Sequence, residues 1–226
     1  MNNALTRTLL TASLTLAASL AQASPVKLTG FSQGYENIDT SLSDVLGVGQ
    51  FKGTINLGGG VQEFLTFCTD IYQPFTWNTT YQHELVANGS TYGFTLAQAD
   101  LLGKLYTVAG AIDSTTKSVA FQLSIWEILY DTNRATSLTS GTFYLQSGGS
   151  QAVRAQATSW LASLSNVTSE YQVQRLYNAS AQDFILAQRT PQTPRANDVP
   201  EPGTWALGGI ALAAMLAARG RKARRR

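Results

Sequence analysis

Apolar and polar positions along the chain change period several times, and each change predicts an element. Residues 26–75 read as strands. The run 51–57 follows Gly49 and ends at Gly58-Gly59-Gly60, a turn signal, and 63–72 is apolar, β-branched and aromatic around Cys68. Pro74 and the Thr/Asn cluster around Trp77 predict a loop. From Thr95 the period becomes helical. Thr95-Leu96-Ala97-Gln98 predicts a capping box, Leu101, Leu105 and Val108 recur on one face, and Gly110 predicts a stop. A second helix follows Ser114, with Val119, Leu123, Trp126 and Tyr130 in step. A third spans 150–164 with Val153, Ala157, Trp160 and Leu164 inward. Strands at 171–177 and 183–186 follow, then a proline-rich linker over 188–199. Strands, helices, then strands predict an α+β domain: β-sandwich-like strands with a helical insert.

Two further apolar segments flank this body. Residues 1–23 predict a secretory signal peptide: one cation, Arg7, then an apolar stretch over 9–20, then Ala21-Gln22-Ala23 as the cleavage site, so that mature protein begins at Ser24. At the other end an uncharged run over 203–218 precedes Arg219, Arg221, Lys222, Arg224, Arg225 and Arg226. Sixteen helical residues reach about 24 Å, slightly short of a bilayer core of about 30 Å. Trp205 at one interface and snorkelling arginines at the other extend that reach. This predicts a single C-terminal transmembrane helix whose basic stop-transfer tail stays cytoplasmic, with the body outside.

Charge changes meaning once these ends are set apart. The whole chain has 16 basic and 14 acidic residues, whereas residues 24–199 hold 9 and 13, a net charge of −4. The apparent basicity belongs to the tail, and no basic patch suggests nucleic acid.

Pro200-Glu201-Pro202, the apolar run and the Arg-rich end, in that order, resemble the PEP-CTERM sorting signal. The resemblance covers about 198–226 and implies recognition by an exosortase, a membrane-embedded cysteine transpeptidase, with cleavage near Pro200–Pro202. It implies a protein held in the inner membrane with its body in the periplasm before processing, then released to the cell surface or the extracellular matrix. The tail also resembles a region labelled as the C-terminal domain of ice-binding proteins. Ice binding is therefore an alternative reading, but the body lacks a regular Thr-x-Thr ladder.

Cys68 is the only cysteine, so an intrachain disulfide is excluded. A lone exported thiol reads as a small buried hydrophobe, as an intermolecular crosslink, or as a reactive group. A thiol beside a glutamine carboxamide can displace ammonia and form an internal thioester, an acyl group open to amines. The body resembles the thioester domains of bacterial surface adhesins over about 31–187. Three motifs carry the resemblance: Phe67-Cys68, then Phe121-Gln122-Leu123-Ser124-Ile125-Trp126, then Ala181-Gln182-Asp183-Phe184-Ile185-Leu186. It implies Cys68 and Gln182 as the bonded pair, with Gln122 and Trp126 lining the site. The chain departs from the pattern at Thr69, Phe121, Ser124 and Ala181. Asp70, close to Cys68, reads either as a polar group of that site or, the commoner case, as a surface strand residue.

Catalytic groups of other kinds are sparse. The one histidine, His83, falls in a polar stretch read as a solvated loop. There is no HExxH, no serine elbow and no ligand cluster for a metal. Gly58-Gly59-Gly60 lacks the Lys-Ser/Thr of a phosphate loop. Glu127 reads as a lone acid in a cleft or, the commoner case, as a helix carboxylate beside a core aromatic. Trp77, Trp126 and Trp160 are candidates for stacking on sugars, although the helical spacing of the last two reads rather as core. The expectation is a non-enzymatic, cofactor-free adhesion or biofilm-matrix protein. Its partners would be an exosortase, the membrane before processing, and an exopolysaccharide or a surface partner bearing an amine. The alternative is a passive polysaccharide-associated structural module whose Cys68 is a buried free thiol.

Overall fold

The computed structural model describes residues 23–131 and 137–191. The expected signal peptide up to Gln22, the PEP motif, the apolar run and the basic tail lie outside these residues. Among the described residues no helix is long and apolar enough to cross a membrane. The chain divides into two units after Arg189, and every element below belongs to the first.

The body is α+β, as predicted. Six strands form one antiparallel sheet: β1 (Ala23–Phe31), β4 (Phe51–Asn56), β5 (Val61–Thr66), β6 (Thr80–Val86), β8 (Tyr171–Tyr177) and β9 (Phe184–Arg189), in the order β5-β4-β1-β6-β8-β9. Three short strands, β2 (Glu36–Thr40), β3 (Leu46–Val48) and β7 (Leu145–Ser147), form a second sheet in the order β3-β2-β7. Between β6 and β8 lie the helices α1 (Leu96–Ala109), α2 (Thr115–Tyr130) and α3 (Gln151–Ser163). Ser24, the expected mature N-terminus, is buried in β1 opposite His83. Strand β9 runs to Arg189, which pairs with Tyr171 and salt-bridges Glu170 at 2.6 Å, so residues 188 and 189 belong to the sheet and not to the linker.

The helix ends follow local chemistry. Thr95 caps α1 through its hydroxyl, which accepts from the Gln98 amide at 3.2 Å, while Gln98 Oε1 accepts from the Thr95 amide at 3.1 Å. Gly110 ends the helix at φ 60°, a value that costs a residue with a Cβ. Ser114 and Ser150 cap α2 and α3 by accepting from Lys117 and Val153. Thr95→Ala is expected to cost about 1 kcal/mol and about 2–4 °C in melting temperature, with Thr95→Ser close to wild type. A thermal melt of the three proteins checks this.

Helix α2 is the centre of the fold. Every residue from Ser118 to Glu127 is buried, so its polar side chains must find partners inside. Ser118 Oγ accepts from the Gln50 amide at 2.7 Å, and Ser124 Oγ donates to the Ala120 carbonyl at 2.8 Å. Of the remaining two, Gln122 bonds the Cys68 backbone and Glu127 lines a cavity beside the helix.

Candidate functional site

Cys68 sits just beyond β5, where the chain has left the sheet edge but stays buried. The segment 66–69 is fastened to the start of β9, the opposite edge of the six-stranded sheet. Thr66 Oγ1 donates to the Ile185 carbonyl at 2.7 Å, the Ile185 amide donates to the Phe67 carbonyl at 3.2 Å, and the Thr69 amide donates to the Asp183 carbonyl at 2.9 Å. Cys68 itself forms a β-bridge with Phe184. The sheet thus curls until its two edges meet, and the meeting point carries the cysteine.

From α2, the Gln122 carboxamide clasps the Cys68 backbone on both sides. Its Oε1 accepts from the Cys68 amide and its Nε2 donates to the Cys68 carbonyl, each at 2.8 Å. Both residues are about 1% exposed. Gln182 approaches from the turn before β9, anchored by its amide to the Pro74 carbonyl at 3.3 Å. Its Nε2 lies 2.7 Å from Cys68 Sγ and 3.2 Å from the Asp70 carbonyl, and Sγ also donates to that carbonyl at 3.0 Å. The Nε2–Sγ contact is as short as the tightest N–H···O bonds, about 2.7 Å, although sulfur is the larger atom. The carboxamide carbon is one covalent bond from that contact.

Trp126, one turn beyond Gln122, is 2% exposed. Its indole N–H is buried beside the cysteine and has no hydrogen-bond partner among the described residues. Gln182 Oε1 is likewise buried without a hydrogen-bond partner among the described residues. Burial pushes the Cys68 thiol well above its ordinary pKa. The Asp70 and Asp183 charges add to the rise, while the Asp70 carbonyl contact and the Trp126 N–H oppose it. Burial thus disfavours the thiolate form.

The four residues singled out in the sequence, Cys68, Gln122, Trp126 and Gln182, are thus brought together. The departures from the motif pattern are accommodated locally. Phe121 packs on Phe67 with ring centroids 4.6 Å apart, Ser124 bonds back to its own helix, and Thr69 and Ala181 are buried. Asp70 is half-buried in the loop after Cys68, not in a strand, and its carbonyl serves the site.

His83 corrects the sequence reading. It lies in β6, fully buried against Phe184, with Nε2 3.0 Å from the Gln182 carbonyl oxygen. Burial holds its pKa below the ordinary value. Period-2 spacing of Tyr81, His83 and Leu85 was the available signal, masked by the polar residues between them.

The cleft leading to the pair was not legible in the sequence either. It measures about 680 Å³, and Phe31, Tyr35, Phe51, Tyr72, Phe75 and Trp77 wall it above Cys68, Trp126 and Gln182. A separate cavity of about 530 Å³ lies beside α2, lined by Glu127, Asp131, Asp100, Lys104 and Leu161. Burial lifts the Glu127 pKa to about 8, with the Asp131 charge adding to it and the Ser137 backbone amide offsetting part.

Residues 198–222 match the PEP-CTERM protein-sorting motif. The chain therefore carries a sorting signal of the exosortase type, which marks an exported protein anchored in the membrane before processing. No curated protein and no solved structure matches the chain significantly.

Proposed function

We propose that the exported body is a covalent adhesion module of the cell surface or extracellular matrix, carrying an internal thioester between Cys68 and Gln182. The 2.7 Å contact between the Gln182 carboxamide and the Cys68 sulfur is the observation that carries this reading. The thiol sulfur adds to the Gln182 carboxamide carbon. As the carbon–nitrogen bond breaks, the thiol proton leaves with the nitrogen as ammonia, and a carbon–sulfur bond remains. An amine on a partner then attacks the same carbon, the carbon–sulfur bond breaks, and the amine's proton returns to Cys68. The product is an amide crosslink and a free thiol. Gln122 fixes the Cys68 peptide so that Sγ has one position, which is the proximity contribution to such a step. The Trp126 N–H steadies negative charge on the departing sulfur. Burial shelters the acyl group from water until a partner enters the cleft.

A second reading is a passive structural module with an ordinary buried cysteine. The complete burial of Cys68 and its upward-shifted pKa favour it, because such a thiol is a poor nucleophile. Intact mass of the processed, exported protein, purified without amine buffers, separates the two. The thioester gives a mass one ammonia below the sequence value, and Cys68→Ala shows no such loss beyond the substitution itself. A full-sequence mass with a titratable thiol in the wild type would rule the thioester out.

A further inference from the structure

On the thioester reading, we infer that the cleft admits a saccharide bearing a free primary amine, a 2-amino sugar unit, as the attacking nucleophile. Three features of the cleft point there: its walls, its lack of charge and its unpaired polar atoms.

The walls are aromatic and set in place. Trp77 packs against Phe75, Phe31 and Phe51 at centroid distances of 4.7, 5.3 and 5.6 Å, yet remains 38% exposed. Tyr35, stacked on Phe31 at 4.6 Å, and Tyr72 are 51% and 62% exposed. Such faces suit the C–H face of a pyranose ring, whose hydroxyls stay at the wet rim. At about 680 Å³ the cleft falls in the ordinary range for small-molecule sites of about 300–1,000 Å³.

Among the described residues, no Asp, Glu, Lys, Arg or His lines the cleft. Aromatic rings attract an ammonium ion, but an ammonium has no lone pair with which to attack, and no charged side chain among the described lining residues is there to take its proton. The nucleophile must therefore arrive neutral. A lysine amine, with pKa near 10.4, is neutral in roughly one molecule in 2,500 at pH 7. An amine flanked by electron-withdrawing C–O bonds falls near the α-amino range of about 7.7–8.0, where roughly one in ten is neutral. A sugar hydroxyl is neutral too, but without a base it is a weak nucleophile. The cleft also holds Gln73 Oε1, buried and without a hydrogen-bond partner among the described residues. A ring hydroxyl supplies the donor that such an acceptor lacks.

The test uses the processed, exported protein at one pH near neutrality, with adduct formation at Gln182 followed by mass. Methylamine is the probe that needs no recognition. A glucosamine trimer is compared with its N-acetylated form, with Nα-acetyl-lysine amide and with triglycine, whose α-amine is equally neutral but lacks a ring. The expected result is labelling by the glucosamine trimer at least about tenfold faster than by either peptide amine, the scale of one good aromatic contact, and no adduct with the N-acetylated trimer. Trp77→Ala should slow the trimer about tenfold more than it slows methylamine. Methylamine labelling with the trimer no faster than triglycine overturns the saccharide inference and leaves the thioester standing. A Trp77→Ala variant that slows both probes equally overturns the platform role. Absence of any methylamine adduct removes the thioester reading and this inference with it.

Discussion

Replacing Gln122 with alanine is expected to cost about 3–5 kcal/mol and, on the thioester reading, to abolish the ammonia loss. The estimate follows from what the carboxamide does. Its two bonds to Cys68 satisfy a backbone amide and a backbone carbonyl that are otherwise buried and out of reach of water. Leaving each unpaired costs about 1–3 kcal/mol, and the vacated side-chain volume adds a cavity term. Gln122→Glu is the sharper variant. A carboxylate keeps the acceptor for the Cys68 amide but loses the donor to the Cys68 carbonyl and places charge in the core, so its stability should fall further as pH rises. Gln62→Ala, at an exposed position on β5, serves as the control and should stay within about 0.5 kcal/mol of wild type. Urea unfolding measures all three. A Gln122→Ala protein as stable as the control would mean that the clasp is not formed in solution.

The clasp also shows which parts of this molecule can be read from a sequence. Helix ends could, because capping is local chemistry: Thr95 with Gln98, Ser114, Ser150 and Gly110 each act within a few residues. Strand β8 fell on the expected residues. The strand expected over 63–72 did not, because the ladder with β4 ends at Thr66, and beyond it a single bridge from Cys68 to Phe184 is all that pairs while burial continues. Strand β5 stops at Thr66, while Phe67, Cys68 and Ile71 stay in the core as loop residues. Hydrophobicity reports burial, and only ladder hydrogen bonds report a strand. Strand β6 escaped notice for the opposite reason, since His83 is its only fully buried side chain. At the site, the sequence supplied the residue types and their order through short motifs, but Cys68 and Gln182 are 114 positions apart and meet only because the sheet edges curl together. The aromatic cleft draws its walls from four separate segments, so no linear pattern reveals it. The sorting motif is the reverse case: its residue types lie in one linear stretch, and residues 198–222 match it.

Glu127 should give the protein a destabilisation at mildly alkaline pH that a single substitution removes. Its carboxyl is about 4% exposed, and burial raises its pKa from 4.5 to about 8. A carboxyl that holds its proton more tightly when folded contributes stability that is fully present below its unfolded pKa, near 4.5, and lost as pH rises through about 8. Two other groups titrate nearby. Asp183, raised to about 6 mainly by burial and held back by the Asn178 amide and Arg175, acts in the same direction but finishes at lower pH. His83, kept neutral by burial, acts in the opposite direction and only below about 6.5. Of these three side chains, Glu127 is the one that titrates between about pH 6.5 and about pH 8.5 in the folded protein. Wild-type stability should fall there by up to a few kcal/mol, tempered by whatever water reaches the adjoining cavity. Glu127→Gln has the shape of the protonated acid and no charge to lose, so its curve should stay nearly flat and cross above wild type at the alkaline end. Urea midpoints for both proteins across this interval decide the matter, since parallel curves would mean that the Glu127 carboxylate is solvated in the folded state.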